Sequence, residues 1–542
     1  MAASATPPTK QIWSRDSTGL VKVGTPYRAL VLNFANIGLV YIMFTYWLHP
    51  AFFPASNLLL SIVIAELVIL PFMYLYALFA TAMPRTGSEY IYISRTLHPA
   101  IGFACSFAAA LSQSFWTGVG GYWISTYVLS PMLSSFGQAT GNSALISLGA
   151  SFNNSNIALI VASVFLWLMV WLNITGLRTY FRFQEINWWA GIATLLVTLG
   201  VLLFSSKDVF IANFNHYAQS VANLSDAYNT IIKDAHANGM PAAGAITLKD
   251  TLGIFPIIWL VAWASTYIGG EVQTPRKSQL WGTVGGSLLY TISVLLIAAL
   301  IGKTVGFEFN SAASYLSYQS AGWWDRFSDW PTFVLWTALL IRNPIVLLLV
   351  GVGMVLWSYF WIPSAMIIAT RAIFAWSFDR LVPEKLSEVH PKYHSPYIAV
   401  ICVGAIGQIF VILFAKGIFN LLLPNVAYMI VFLVVSICGI IFPYLEKTKS
   451  LFDQPGVNGR IAGIPVMTLC GIAGLIYFGT AFYYMLTVDG LTTAVFGVDL
   501  RAGALVLALQ FIIPLVLFFG LRWWRSRNGI SVDTAFQTLP PD

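Results

Sequence analysis

The run Asn33-Phe34-Ala35-Asn36-Ile37-Gly38 puts two amides and a glycine in the middle of an apolar stretch, Arg28 to Trp47, that is long enough to cross a bilayer. An amide left in hydrocarbon without a partner costs about 2–7 kcal/mol. These side chains are therefore expected to face other helices or a cavity. A helix interrupted at that depth frees backbone N–H groups on one side of the gap and C=O groups on the other, and together they can hold a small charged solute. A second interruption is expected near Trp259, Val261 and Trp263, because Pro256 removes a backbone donor close to the start of that apolar segment. Glu66 is an acid inside another apolar run, and is either an ion- or proton-coupling carboxylate or a hydrogen-bonded structural group. Gln113, Ser114, Thr117, Ser358, Ser364, Asn425 and Tyr428 are further polar groups in apolar segments, open to a cavity role or to packing. Asn33 and Asn36 can equally act as interhelical glue.

The elements that carry these residues follow from composition. The chain of 542 residues is 58% hydrophobic and only 9% charged, with mean hydropathy +0.76. A soluble protein carries about 25% charged residues, so most of this chain is expected to lie in lipid. The net charge of +7 is dispersed along helix ends rather than gathered in a stripe, which argues against a nucleic-acid partner. Cys105, Cys402, Cys438 and Cys470 sit in apolar segments with no metal-ligand or redox spacing. No zinc-protease, phosphate-loop or dinucleotide motif is present, so an enzyme, a metal site and a bound cofactor are not expected.

Windows of about 20 apolar residues give twelve predicted membrane helices at 29–49, 58–83, 98–130, 156–177, 185–205, 252–271, 281–303, 344–377, 396–415, 419–443, 461–487 and 503–524. With both termini cytoplasmic, 20 of the 28 lysines and arginines fall on inner segments, as the positive-inside rule requires. The division is then a tail at 1–28, helices 1–5 at 29–205, an outer loop at 206–251, helices 6–10 at 252–443 with a second outer loop at 304–343, helices 11–12 at 444–524, and a tail at 525–542. Residues 1–23 lack the apolar run of a cleaved signal, so helix 1 is expected to direct insertion itself. The second loop carries Tyr315, Trp323, Trp324 and Trp330, suited to an interface or a cavity mouth. Gly282, Gly285 and Gly286 on helix 7 suit close helix packing.

Three inner segments are specific. They are Met83-Pro84-Arg85-Thr86-Gly87-Ser88-Glu89-Tyr90-Ile91-Tyr92, then Gly270-Glu271-Val272-Gln273-Thr274-Pro275-Arg276-Lys277, then Arg371-Ala372-Ile373-Phe374-Ala375-Trp376-Ser377-Phe378-Asp379-Arg380 with Pro383 beyond. In this order, between these helices, the chain resembles the amino acid–polyamine–organocation (APC) superfamily of permeases over about residues 25–445. The resemblance implies an all-α membrane protein with a five-plus-five inverted repeat, helices 1 and 6 broken (LeuT-like), and two extra C-terminal helices. It also implies a central site between helices 1, 3, 6, 8 and 10. Here the helix 1 break reads Ala35-Asn36-Ile37-Gly38, and the helix 6 break has tryptophans in place of glycine.

The activity so implied is secondary transport of an amino acid or a related amine across the cell membrane, as a proton symporter, an exchanger, or a polyamine or organocation carrier. A non-transporting sensor on the same fold is the alternative. The energy source is a proton or sodium gradient. An amino acid carboxylate would sit on the backbone N–H groups of residues 36–39, at a half-helix N-terminus. Its ammonium would sit on carbonyls near Asn33, Phe34 and Trp259 to Val261. Ala35, Ile37, Gly38 and Gln113 complete the expected site, with Trp259 and Trp263 as an aromatic wall. Related folds hold sodium with helix 8 hydroxyls packed against helix 1, which singles out Ser358. Helix 5 has no lysine between Asn187 and Phe204 to replace that ion.

Overall fold

A computed structural model describes residues 19–241, 247–257, 261–327, 329–418, 423–496, 500–536 and 539. Among them, ten helices are long and apolar enough to cross a membrane. They are helix 1 (Pro26–Phe52), helix 2 (Leu58–Ala82), helix 4 (Ser155–Ile174), helix 5 (Leu177–Phe204), helix 7 (Pro275–Thr304), helix 8 (Pro344–Phe378), helix 9 (Tyr397–Ala415), helix 10 (Leu423–Tyr444), helix 11 (Val466–Thr487) and helix 12 (Leu500–Arg527). Helix 3 (Pro99–Ile124) is equally long, is rich in Gly, Ala and Ser, and runs on through a π-helical turn into Ser130–Thr140. The segment predicted as helix 6 is not described as one helix: between a short turn at Leu248–Leu252 and a second at Ala264–Tyr267, the described residues 253–257 and 261–263 are non-helical.

Local chemistry sets the helix starts. Thr25 caps helix 1 by accepting from the Arg28 N–H at 3.2 Å, with Pro26 in the first turn. Asn57 caps helix 2 in the same way through Leu60. Gly176, at φ +90°, turns the chain from helix 4 into helix 5, which therefore begins eight residues earlier than the sequence suggests. The predicted outer loops are largely helical: Lys207–Ala222, Ala227–Ala237, Phe307–Gln319 and Phe333–Leu340. The first two are amphipathic, and Phe210, Phe214, Phe309 and Trp336 from these helices pack edge to face. An antiparallel pair, Arg460–Ile461 with Ile464–Pro465, lies in the 10–11 connection.

Contacts sort the connections into two ends. At one end Arg28 pairs with Glu185 at 3.0 Å, Ser395 donates to the Ile174 carbonyl, Lys447 to that of Leu97, and Arg525 to that of Val382. At the other, Tyr484 donates to the Lys249 carbonyl, Asn213 to that of Leu339, and Ser130 to the Asp329 carboxylate. Each of these joins segments that the lysine and arginine pattern puts on one side. Large apolar side chains such as Leu67, Phe204 and Val516 stand exposed on the flanks. A contiguous apolar surface of this extent fits lipid rather than water.

Candidate functional site

Helix 1 breaks where its glycine stands. Gly38 has φ +66° and ψ 167°, far from helical values, and a Cβ there would lie 2.9 Å from the Cβ of Trp361 on helix 8. Glycine is needed both for the left-handed φ and for the close approach. A break of this kind ends one half-helix and starts another, leaving carbonyls before it and N–H groups after it outside the ladder. Ala35 and Ile37 are buried on either side of Asn36, and Phe34 packs edge to face on Trp188 at 5.0 Å.

Side chains hold the second interruption open. The Asn33 Oδ1 accepts from the Ser265 N–H at 2.6 Å, while its Nδ2 donates to the Ala262 carbonyl and the Ser265 hydroxyl, both at 3.0 Å. Gln279, at the foot of helix 7, accepts from the Ser265 hydroxyl at 2.7 Å and donates to its carbonyl at 2.9 Å. These amides replace the hydrogen bonds a continuous helix would make, so no glycine is required at the break. Gly282 and Gly286 let helix 7 approach: a Cβ on the first would meet the Ser265 hydroxyl at 2.8 Å, and on the second the Asn33 Cβ at 3.2 Å. Asn33 thus stitches the two breaks together, its amide fully engaged on helix 6.

The other predicted residues that the structure describes are buried. Val261 is buried, and Trp263 packs on Tyr428 and Phe432 of helix 10 at 5.4 and 5.3 Å, its indole N–H without an acceptor among the described residues. Trp259 lies outside the described residues. Asn36 accepts from Ser364 of helix 8 at 3.2 Å. Gln113 is buried with its Oε1 unpartnered among the described residues. Ser114 and Thr117 instead turn back onto the carbonyls of Ala110 and Gln113 in their own helix. Asn425 is buried on helix 10. Ser358 is fully buried, its hydroxyl without a partner among the described residues. Glu66 joins helix 2 to helix 7, accepting from Ser287 at 3.0 Å and Thr291 at 2.7 Å.

Two aromatic residues join the site that composition alone does not mark. Trp361 covers Gly38, stacks on Trp123 at 6.0 Å and 10°, and leans on Trp116 at 5.9 Å. From Trp123 the rings continue through Phe44 at 4.7 Å to Trp47, and on to Trp330 of the second outer loop at 5.0 Å. A tryptophan in an apolar helix reads as core, and only Pro363 two residues on hints at a special place for Trp361.

The opposite path from the breaks ends in the three motif segments, which lock into one another. Arg371 binds Glu271 with two hydrogen bonds, at 2.8 and 3.0 Å, and both side chains are at most 3% exposed. Arg95 binds Asp379 likewise, at 2.8 and 3.1 Å. The Glu271 carbonyl accepts from the N–H groups of Val23 and Gly24, and Thr86 bridges to Ile268. A buried pair of this kind costs about 3–5 kcal/mol when one partner is removed. Among the described residues, no three His, Cys, Asp or Glu side chains gather as a metal site.

A bundle of apolar helices, with two interruptions stitched to each other and a lock at one end, defines a membrane carrier. The amino acid permease family model matches residues 26–498, and the chain belongs to that family. It is a family of transporters and not of enzymes. The chain is also similar to the branched-chain amino acid permease BcaP of Bacillus subtilis (strain 168), at 23% identity over 357 residues. That match covers 65% of this chain and 66% of the relative, so just under two thirds of the relative's length is spanned.

Proposed function

We propose that the protein is a secondary active transporter that carries an amino acid across the cell membrane by alternating access, with proton-driven uptake. The paired breaks of helices 1 and 6, held by Asn33, are the observation that carries this reading. Counting helices 3 and 6 as crossings gives twelve membrane helices, arranged as a five-plus-five inverted repeat with two extra helices and with both termini cytoplasmic. The end-to-end sorting of contacts supports that alternation. The substrate carboxylate is read by N–H groups of residues 36–39, and its ammonium by carbonyls of the preceding half-helix and of the helix 6 break. Asn33 positions these groups, and the Gln113 Oε1 and the Trp263 N–H, unpartnered among the described residues, are further polar atoms for the substrate.

None of the proposed site residues is acidic, which disfavours a polyamine or other multiply charged cation, since each extra ammonium would need its own buried acceptor. Trp116, Trp263 and Trp361 suit an apolar side chain, and the similarity to a branched-chain amino acid permease points the same way. Glu66, met by two hydroxyl-bearing side chains of helix 7, fits a structural tie better than a coupling group. Ser358 is the sodium alternative. The test is uptake of labelled leucine into proteoliposomes with and without a pH gradient. Saturable uptake raised by an acidic exterior supports the reading; binding without uptake indicates a sensor, and sodium dependence moves the coupling to Ser358.

A further inference from the structure

Glu89 stands in the first motif, yet nothing so far gives it a task. Its side chain is fully buried. Oε1 accepts from the Tyr76 hydroxyl of helix 2 at 2.7 Å, while Oε2 has no donor at hydrogen-bonding geometry among the described residues. The carboxyl is shut in on the helix 6 side by two contacts that flank it: the Gly87 N–H donates to the Tyr267 carbonyl at 3.2 Å, and the Ser88 and Thr266 hydroxyls meet at 2.6 Å. The other acids of this lock, Glu271 and Asp379, each hold an arginine. Among the described residues Glu89 has no ion-pair partner.

The titratable groups that face it are Tyr76 from helix 2, Tyr92 from its own short helix Glu89–Thr96, Tyr267 from helix 6 and Cys105 from helix 3. Tyr428 of helix 10 stands behind Tyr76 and Tyr267. All are neutral at physiological pH. A buried carboxylate with no counter-cation is disfavoured against the neutral acid, while hydrogen bonding from Tyr267, Tyr76, its own N–H and Ser88 pulls the other way. Burial accordingly pushes the Glu89 carboxyl above its ordinary range.

We propose that Glu89 is the proton-binding site of the transport cycle, loaded while helix 6 is closed over it and discharged when that end opens. This rests on the proton-driven reading above. In the closed state the neutral acid accepts from Tyr76 and presents its own O–H towards Tyr267. Opening draws Thr266 and Tyr267 away from Gly87 and Ser88 and admits water. The O–H bond then breaks, the proton passes to that water, and a hydrated carboxylate remains. When that end closes again, the buried charge draws its next proton from the outer side, so each cycle carries one proton inward.

The experiment compares wild type with Glu89→Gln in proteoliposomes, using labelled leucine under an imposed pH gradient and, separately, leucine–leucine counterflow without one. Glu89→Gln is expected to keep counterflow and lose gradient-driven accumulation, with a flat pH profile. Gradient-driven accumulation equal to wild type overturns the proposal. A wild type that exchanges leucine but ignores the gradient overturns the proton-driven reading, and this proposal with it; so does a wild type that takes up no leucine. Should Glu89→Gln fail to fold or exchange, Glu89→Asp decides: coupling retained with a shifted pH profile supports the site, and counterflow deaf to the gradient removes it. Infrared difference spectra add a second readout. A protonated-carboxyl band present at neutral pH in wild type and absent in Glu89→Gln is expected, and its absence from wild type contradicts the assignment.

Discussion

Single residues carry the strained and buried chemistry of this site. Gly38 adopts φ +66° against Trp361, and an L-residue there faces roughly 1–2 kcal/mol of backbone strain in addition to the clash. Gly38→Leu is expected to insert normally and to lose leucine uptake, checked by membrane fractionation beside a transport assay. Asn33→Ala leaves the Ser265 N–H and the Ala262 carbonyl without their partner, at about 1–3 kcal/mol for each buried group. Its melting temperature should fall and its uptake should vanish, whereas Asn36→Ala, which loses one contact to Ser364, should melt closer to wild type. Glu89 adds a pH signature. Burial holds its folded carboxyl above the ordinary glutamate value of 4.5, so the stability it supports is complete below that value. The stability is lost as pH rises towards the raised folded value, because the unfolded chain ionises first. Thermal melts of wild type minus Glu89→Gln should therefore drop with rising pH above about 4.5; a flat difference would contradict the assignment.

Elements show why a helix can break without a glycine. Helix 6 is interrupted because Asn33 and Gln279 satisfy its backbone from outside, and the glycines of helix 7 bring those amides within reach. The lock at the other end of the path depends on Glu271 and Arg371. Glu271→Gln leaves a buried guanidinium without its counter-charge, worth about 3–5 kcal/mol. In that background a cysteine at Ala375, whose Cβ would lie 2.6 Å from a Cβ added on Gly87, should label faster with a membrane-permeant thiol reagent; an unchanged rate would show that the lock is not held there. The break of helix 1 could be read from Asn33, Asn36 and Gly38, and the three motif segments from their prolines, glycines and arginines, since polar groups in an apolar run are costly enough to have few explanations. Trp116, Trp361 and Gln279 could not, because a tryptophan or a single amide at helical spacing looks the same whether it packs or lines a path. Glu89 was visible within its motif, but its lack of a cation is a property of the packed structure. The helical caps over the outer end look like loops in the sequence, since amphipathic helices such as Lys207–Ala222 gain their stability from the rings they cover.

At the scale of the whole molecule, two closures of different chemistry bracket the paired breaks. Rings from Trp361 to Trp330 fill one side, and charge-paired motif segments fill the other. Rings can part with little electrostatic penalty, whereas the ion pairs exchange charge for hydration, so the two ends are suited to open separately. The account's central claim is that main-chain groups at the breaks read both ends of an amino acid. The most direct measurement is competition against labelled leucine, in wild-type proteoliposomes, by isoleucine, by the amine 3-methylbutylamine and by the acid 4-methylpentanoate. Isoleucine is expected to compete, while the amine, which lacks the carboxylate, and the acid, which lacks the ammonium, leave uptake unchanged. Inhibition by either single-charge analogue at concentrations similar to isoleucine would contradict it.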